Sequence, residues 1–455
     1  MMLFRLLSPL LLSGFLFSPL GATDDPFGVM KLSPISCPSL DNAKPLSLSS
    51  AVSSALCANP QTHSAWASVT YQEALLGGSK AAYLPTVTLN GTALRNHDTG
   101  YLTTQGNYTK TNGSLALNYL LYDFGNRDAL HDQATFALFS AQKSYDNLFQ
   151  TLFFNTVQGY YAIFQAQASL DAYLSAQNAA KESLEAAHIK LKAGVTIPAD
   201  TLQAQAAYAQ ALLNRVTAEQ TLALAKGNFA TLLGWDADQS FTIIPPVETT
   251  QNPLPQESLH ALVTKASHTR PDLIAAHTDV QTADATLRAA RASGMPTLSL
   301  TSGFSGMDTA MASPTTNSNV GVVLSVPLFT GYAITYKIAA ATAQRSLKEA
   351  LANTLDKQVA LEVYTAYTNL MAAHTKEQLT TDLLNSAKAS YASALGRYKA
   401  GVGTILDVTT AQSLLSSAQQ QKVASLYTLA ISRVALAKAL GNTEQMKDEL
   451  TKEVP

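Results

Sequence analysis

Residues with the types and spacing that catalysis requires are scarce in this chain of 455 residues. His260, His268 and His277 are separated by eight and nine positions, whereas two zinc ligands on one helix face lie about four apart. Gly77-Gly78-Ser79-Lys80 lacks the spacing of a phosphate-binding loop and is more typical of a helix that ends before a strand. We therefore predict that the protein is not an enzyme and holds no metal or other cofactor.

The chain has two cysteines, Cys37 and Cys57, whose chemistry depends on the compartment. Arg5 is followed by a short apolar stretch, broken by Ser, Pro and Gly, that ends at small residues near Ala22. This pattern predicts a cleaved signal peptide over 1–22 and hence an exported protein. In an oxidising compartment an isolated pair of cysteines predicts a disulfide between Cys37 and Cys57, and two free buried thiols are the alternative.

Charge and hydropathy limit the kinds of partner and of membrane-spanning segment that the chain can have. The chain has 30 Lys and Arg residues against 32 Asp and Glu, with no basic cluster, so a nucleic-acid partner is not expected. After the signal peptide there is no run of eighteen or more apolar residues. We therefore expect that no helix spans a bilayer and that any membrane-spanning segment is a β-strand.

An internal duplication organises the sequence. Asn59-Pro60 recurs as Arg270-Pro271, 211 positions later, and Lys192-Ala193-Gly194-Val195 recurs as Lys399-Ala400-Gly401-Val402, 207 positions later. The shift is constant within each of two long segments and changes by four residues between Pro85 and Leu121, which indicates one structural unit used twice with a loop of different length. The predicted parts are the signal peptide at 1–22, an extended segment at 23–45, a first repeat at 46–235, a Pro-rich linker at 236–256, a second repeat at 257–441 and a tail at 442–455.

Each repeat is predicted to begin with a helix, continue with two strands and end with two long helices. Apolar and small residues recur at intervals of three and four over the long segments, which predicts coiled-coil helices. The predicted long helices cover 126–193, 198–234, 333–400 and 404–440. Alternation with a period of two predicts strands at about 84–95, 113–123, 296–305 and 319–329, joined in pairs by polar segments at 95–113 and 306–319.

The predicted strands have one apolar face and one face of small and polar residues. This pattern favours a transmembrane barrel with a wet lumen, and a four-stranded soluble sheet packed on a helix is the alternative. Four strands cannot close a barrel by themselves. The chain must therefore oligomerise as a dimer, trimer or tetramer if the barrel interpretation holds, and periodicity does not choose among these.

With these features in order, the sequence resembles the TolC family of outer-membrane factors, the exit ducts of Gram-negative efflux pumps and type I secretion systems. The resemblance covers nearly the whole mature chain. It rests on Leu46 to Val52 with Asn59-Pro60, on Ala82-Tyr83-Leu84-Pro85, on Leu121-Tyr122-Asp123-Phe124-Gly125, on the paired Lys-Ala-Gly-Val segments and on Leu-Gly at the end of each repeat.

The resemblance implies an architecture and a set of partners. It implies a homotrimer in the outer membrane, with a twelve-stranded β-barrel built from four strands per chain and a periplasmic α-barrel of long antiparallel coiled-coil helices. A periplasmic membrane-fusion adaptor and an inner-membrane pump or ABC transporter are the implied protein partners. The cargo is left open between drugs or small toxic molecules and an unfolded exported protein. A secreted or surface coiled-coil protein of structural or adhesive function is the competing hypothesis.

The same resemblance implies pore and gate roles for Asp407, Asp200 and Tyr398. Gly194 and Gly401 are expected to reverse the chain between helices at the periplasmic tip, where a Cβ would be costly. The sequence departs from the family's pattern in two places, with Gly403 in place of an Arg and Thr410 in place of a second Asp. We therefore expect the closed tip to be held more weakly or through other residues.

The two aspartates also have a structural explanation. Asp407 follows Thr404 with the spacing of a helix capping box, and Asp200 lies in a first helical turn just after Pro198. Helix capping and a role in the lumen are both open for these residues, and the two are compatible.

Overall fold

A computed structural model describes residues 25–29, 45–98, 106–195, 197–245, 257–309 and 312–442. In these ranges the chain forms eight helices and one antiparallel sheet of four strands. The described residues divide into two compact units. One contains Ser68–Leu138 and Asp279–Ser346, and the other contains 45–67, Phe139–Thr278 and 347–442.

The helices follow the same order in both halves of the chain. The first half contains α1 (Leu48–Ala58), α2 (Pro60–Ala81), α3 (Asn126–Lys192) and α4 (Pro198–Leu232). The second half contains α5 (Leu259–Thr269), α6 (Pro271–Ala292), α7 (Ala333–Lys399) and α8 (Ile405–Ala439). The long helices α3 and α7 have 67 residues each, and α4 and α8 have 35 each. None of the described helices is both long and apolar enough to cross a membrane.

The leading helix predicted for each half is in fact two helices. Asn59 and Arg270 have extended backbones, with ψ of 128° and 123°, and each precedes the proline that starts the next helix. A proline disfavours the helical conformation in the residue before it, so the first helix ends there, while its fixed φ suits the first position of the second. The break therefore comes from Pro60 and Pro271.

The four strands form a meander in which neighbours along the chain are neighbours in the sheet. They are β1 (Thr86–Asp98), β2 (Gly106–Tyr122), β3 (Thr297–Thr309) and β4 (Ala312–Ser325), in the order β1-β2-β3-β4. Each strand is antiparallel to the next, and β1 and β4 are the edges.

The strands are longer than the alternation predicts. Asn96 pairs with Tyr108, and Gly306 pairs with Thr316, inside the two segments that were expected to be polar connections. The hydrophobic alternation fades in these segments because both faces become polar, but the backbone ladder of a hairpin continues wherever both strands can hydrogen-bond. Most of each polar connection is thus strand.

The sheet is not the packed sheet of a soluble domain. Leu89 on β1 is 80% exposed and Val320 on β4 is 76% exposed, although both are large apolar residues. On both strands, the alternate residues that point to the opposite face are exposed as well. Among the described residues no helix covers β1 or β4, which does not fit the alternative of a soluble sheet packed on a helix.

The long helices bury narrow rows of apolar and small side chains. One cluster joins α1, α3, α4 and α8 around Tyr160, Ile163 and Phe229, and a second joins α5, α6, α7 and α8 around Leu273, Val359 and Val363. A third lies near the ends of the long helices and joins Ala187 and Ala204 to Tyr398 and Val408. Four of the seven buried residues of the third cluster are alanines, which lets the helix backbones approach closely there.

Candidate functional site

The chain reverses twice between long helices, and both reversals have the same geometry. Gly194 (φ +72°) follows α3, and Gly401 (φ +80°) follows α7. The N–H of Val195 donates to the Lys190 carbonyl, and the N–H of Val402 donates to the Arg397 carbonyl, both at 3.0 Å. This is the Schellman end of a helix, in which glycine adopts the left-handed conformation without the penalty of a Cβ.

Space is not the reason for glycine at these two positions. A Cβ added at Gly194 or at Gly401 would have no neighbouring heavy atom within 4 Å. The backbone conformation alone therefore requires glycine there, and other side chains could extend into open space.

Asp407 lies in the first turn of α8 and forms a reciprocal cap with Thr404. The Asp407 N–H donates to Thr404 Oγ1 at 3.2 Å, and the Thr404 N–H donates to Asp407 Oδ2 at 3.1 Å. Donation from the Thr404 backbone, with a contribution from its side chain, lowers the pKa of Asp407 below its ordinary value. The carboxylate is exposed, so it can cap the helix and face water at the same time.

Asp200 lies in the corresponding turn of α4 but does not form that cap. The N-cap residue of α4 is Ile197, which offers no side-chain acceptor, and Pro198 occupies the first helical position. Asp200 is partly exposed and acts electrostatically on Tyr398. Burial, followed by this negative charge, raises the pKa of the Tyr398 hydroxyl.

Tyr398 lies in the last turn of α7 and is 4% exposed. It packs with Ala187 of α3 and Ala204 of α4 in the third cluster. Its hydroxyl oxygen is buried and has no hydrogen-bond partner among the described residues. The structure thus brings Tyr398 and Asp200 to the same end of the helices, near the two glycine reversals.

Lys190 is a member of this site that the sequence patterns do not reveal. Its Nζ lies 3.5 Å from the centroid of the Tyr398 ring and donates to the Tyr398 carbonyl at 2.7 Å. A basic residue in the last turn of α3 is an ordinary helix-end feature. Its use on a different helix, 208 positions away in sequence, has no local signature.

The two departures from the family's pattern lie close to this site in sequence. A Cβ at Gly403 would be 3.1 Å from Arg397 Cβ and 3.1 Å from the Tyr398 nitrogen. Gly403 therefore packs tightly on the last turn of α7. A larger side chain at this position would displace that turn. Thr410 is exposed on α8.

Of the other residues considered for chemistry, those that the structure describes are not part of this site. Cys37 and the signal peptide are outside the described residues, so the Cys37–Cys57 disulfide stays a prediction. Cys57 is buried on α1. His277 Nε2 is 3.3 Å from Asp356 Oδ1 in an exposed pair. Within the described ranges there is no group of three or more His, Cys, Asp or Glu residues that could hold a metal ion.

Comparison with known proteins gives consistent matches. A family model described as outer membrane efflux protein matches residues 51–235 and 262–442. Protein CyaE of Bordetella pertussis is 30% identical over 416 residues, covering 89% of this chain and 87% of that protein. Outer membrane protein TolC of Escherichia coli is 23% identical over 364 residues, covering 77% and 73%. The crystal structure of the Campylobacter jejuni CmeC outer membrane channel matches with a TM-score of 0.79 at 18% identity, covering 90% of each chain.

Proposed function

Because the chain belongs to the outer membrane efflux protein family, we propose that three copies of it form one duct that conducts cargo from the periplasm to the exterior. The protein is an outer-membrane channel and not an enzyme. Its partners are two further copies of itself, a periplasmic adaptor and an inner-membrane pump.

The observation that carries the proposal is how side chains align across the sheet. The register places Val87, Leu117, Ser302 and Val320 in one row and Tyr119, Leu300 and Val322 in another on the same face. On the opposite face one row consists of Asn90, Ser114, Ser305 and Asn317. One face thus suits lipid and the other suits water, as in the wall of a water-filled barrel.

The edges of the sheet support a trimer of such sheets. Each edge strand, β1 and β4, pairs with one strand in the described chain. Backbone groups in hydrocarbon must be hydrogen-bonded, so β4 of one copy is expected to pair with β1 of the next. Three copies give twelve strands, which leave room for a channel.

We further propose that the chain is a duplicated unit, with repeats at 46–235 and 257–441. The family model matches the chain twice, over 51–235 and 262–442, which supports this division. The two halves also have helices of equal length in the same order.

Asp407, Asp200 and Tyr398 are proposed to line or hold the periplasmic end of the duct. Three copies of the exposed Asp407 would form a ring of negative charge at a narrow point and attract cations. Asp407→Ala is then expected to reduce cation selectivity or cation block of single channels. Unchanged selectivity would leave Asp407 as a helix cap only.

The proposed function is tested in two steps. The purified protein should be trimeric in detergent by light scattering, and a stable monomer would contradict the duct. A deletion strain should then lose one or a few exported proteins from its medium, or become sensitive to bile salts, dyes and antibiotics. The first phenotype identifies a protein-secretion duct and the second a drug-efflux duct, while a strain with neither would contradict the function.

A further inference from the structure

Lys190 connects the ends of two helical hairpins within one chain. We call α3 with α4 the first hairpin and α7 with α8 the second hairpin. From the last turn of α3, the Lys190 ammonium reaches the last turn of α7 and makes two contacts with Tyr398. It lies 3.5 Å from the centroid of the ring and donates to the backbone carbonyl at 2.7 Å.

Both contacts are favourable for physical reasons that add to one another. The last carbonyls of a helix carry partial negative charge, so a cation is stabilised beside them. The ring face attracts the same cation, and more strongly because Tyr398 is buried. The Tyr398 carbonyl also accepts from the Gly401 N–H at 3.1 Å, so Lys190 contacts the carbonyl that closes the helix reversal.

This use of a last-turn cation occurs at one of the two reversals. Arg397 stands in α7 where Lys190 stands in α3, 207 positions earlier. The Arg397 side chain is exposed and forms no hydrogen bond or ion pair with the described residues, although its charge contributes to lowering the pKa of Asp407. The Lys192 side chain, two residues after Lys190, is exposed as well and forms none with them. The contact is therefore specific to Lys190 rather than a property of basic helix ends.

We propose that Lys190 is a positioning residue of the gate, which holds the second hairpin against the first and so favours the narrow state of the duct. The inference rests on the proposed function, because it assigns the residue that sets the width of that duct.

Single-channel recording of the purified trimer in planar bilayers tests the inference. Lys190→Met removes both contacts and is expected to raise the ratio of wide to narrow states about tenfold, which corresponds to about 1.4 kcal/mol. Lys190→Arg keeps a cation and a donor and should behave as the wild type. Lys192→Met is the matched control, since it removes the same charge from the same helix turn and should change nothing.

A second measurement covers the case in which Lys190→Met also impairs folding or assembly. Hydrogen exchange of the Gly401 and Val402 amides reports the end of α7 directly, and we expect it to accelerate in Lys190→Met but not in Lys192→Met. Tyr398→Leu removes the ring face. The double variant with Tyr398→Leu and Lys190→Met should change the ratio of wide to narrow states by less than the two single changes would together.

Three results would overturn the inference. If the conductance and the hydrogen exchange of Lys190→Met equal those of the wild type, the contact does not hold the second hairpin against the first. Equal effects of Lys190→Met and Lys192→Met would assign the change to the loss of charge alone. Wild-type protein that forms no channels would contradict the proposed function itself and the inference with it, which distinguishes that failure from the first two.

Discussion

Asn59 and Arg270 make the same contact in the two halves of the chain. Asn59 Nδ2 donates to the Leu232 carbonyl at 3.0 Å, and Arg270 Nη1 donates to the Ala439 carbonyl at 3.5 Å. Each donor lies at the break between two leading helices, and each acceptor lies in the last turn of a long helix. One side chain in each half thus ties the start of the unit to its end.

Replacing Arg270 should destabilise the protein more than replacing a residue of an exposed ion pair. Its guanidinium is 2.6 Å from Asp272 and 2.7 Å from Glu362, and the Arg270 side chain is 9% exposed. Arg270→Met leaves both carboxylates without their cation. We expect a loss of about 2–3 kcal/mol in the free energy of unfolding, below the roughly 3–5 kcal/mol of a fully buried pair because Glu362 is half exposed.

Thermal unfolding of the purified trimer in detergent measures this loss. Lys265→Met is the control, because Lys265 and Glu257 form an exposed pair at 3.9 Å and such pairs contribute about 0–1 kcal/mol. Equal stabilities of the two variants would show that the Arg270 contacts contribute no more than surface charges.

Two glycines with the same backbone requirement should differ in their tolerance of a side chain. Gly194 and Gly234 both have positive φ, but a Cβ at Gly234 would lie 2.5 Å from the Ala58 carbonyl oxygen. Gly194→Ala should cost about 1–2 kcal/mol of stability, from backbone strain alone. Gly234→Ala should cost about 1–3 kcal/mol more, because the neighbouring backbone must move. Similar melting temperatures for the two variants would contradict this.

The charge of Asp407 should persist into acidic solution. Hydrogen bonds from Thr404 lower the pKa of Asp407 below its ordinary value of 3.8. A carboxyl group with a lowered pKa stays ionised until the pH falls through the folded value, and its cap contributes to stability above that pH. The difference in cation selectivity between wild type and Asp407→Asn should therefore persist to a more acidic pH than an aspartate with the ordinary pKa would allow, and disappear as the pH falls through the lowered pKa of Asp407.

Thr404→Val provides the matched test of this mechanism. It removes the side-chain contribution to the lowered pKa, so Asp407-dependent selectivity should disappear at a higher pH than in the wild type. Selectivity that already disappears between pH 5 and pH 6 in the wild type would contradict the assigned cause.

Tyr160 should hold the start of the linker in place. Its buried hydroxyl is within hydrogen-bonding distance of the carbonyls of Leu46 and Ile244, to either of which it can donate. The Ile244 N–H in turn donates to the Leu46 carbonyl at 2.9 Å. Tyr160→Phe should accelerate hydrogen exchange of the Ile244 amide about tenfold. Tyr336→Phe, at a position that is 74% exposed, should leave it unchanged, and an unchanged rate in both variants would contradict the role.

The sequence predicts the long helices closely, because the spacing of their apolar residues and the glycines that end them are local signals. Spacing and glycine place a helix over 126–193, and α3 covers Asn126–Lys192. The strand β2 begins at Gly106 rather than near position 113, since the ladder continues where apolar alternation does not. The Lys190–Tyr398 contact could not be predicted, because it depends on how two hairpins pack and leaves no periodic pattern.

The outer edges of β1 and β4, which pair with no other strand in the described part of the chain, have a consequence for biogenesis. A chain that entered the bilayer alone would carry a row of unsatisfied backbone groups along each edge, at a cost of several kcal/mol per group. In the proposed trimeric barrel, insertion is therefore linked to association, and the rate at which inserted protein appears should rise more steeply than linearly with the concentration of newly exported chains. Expression level would then decide whether these chains mature or remain in the periplasm as substrates for proteases.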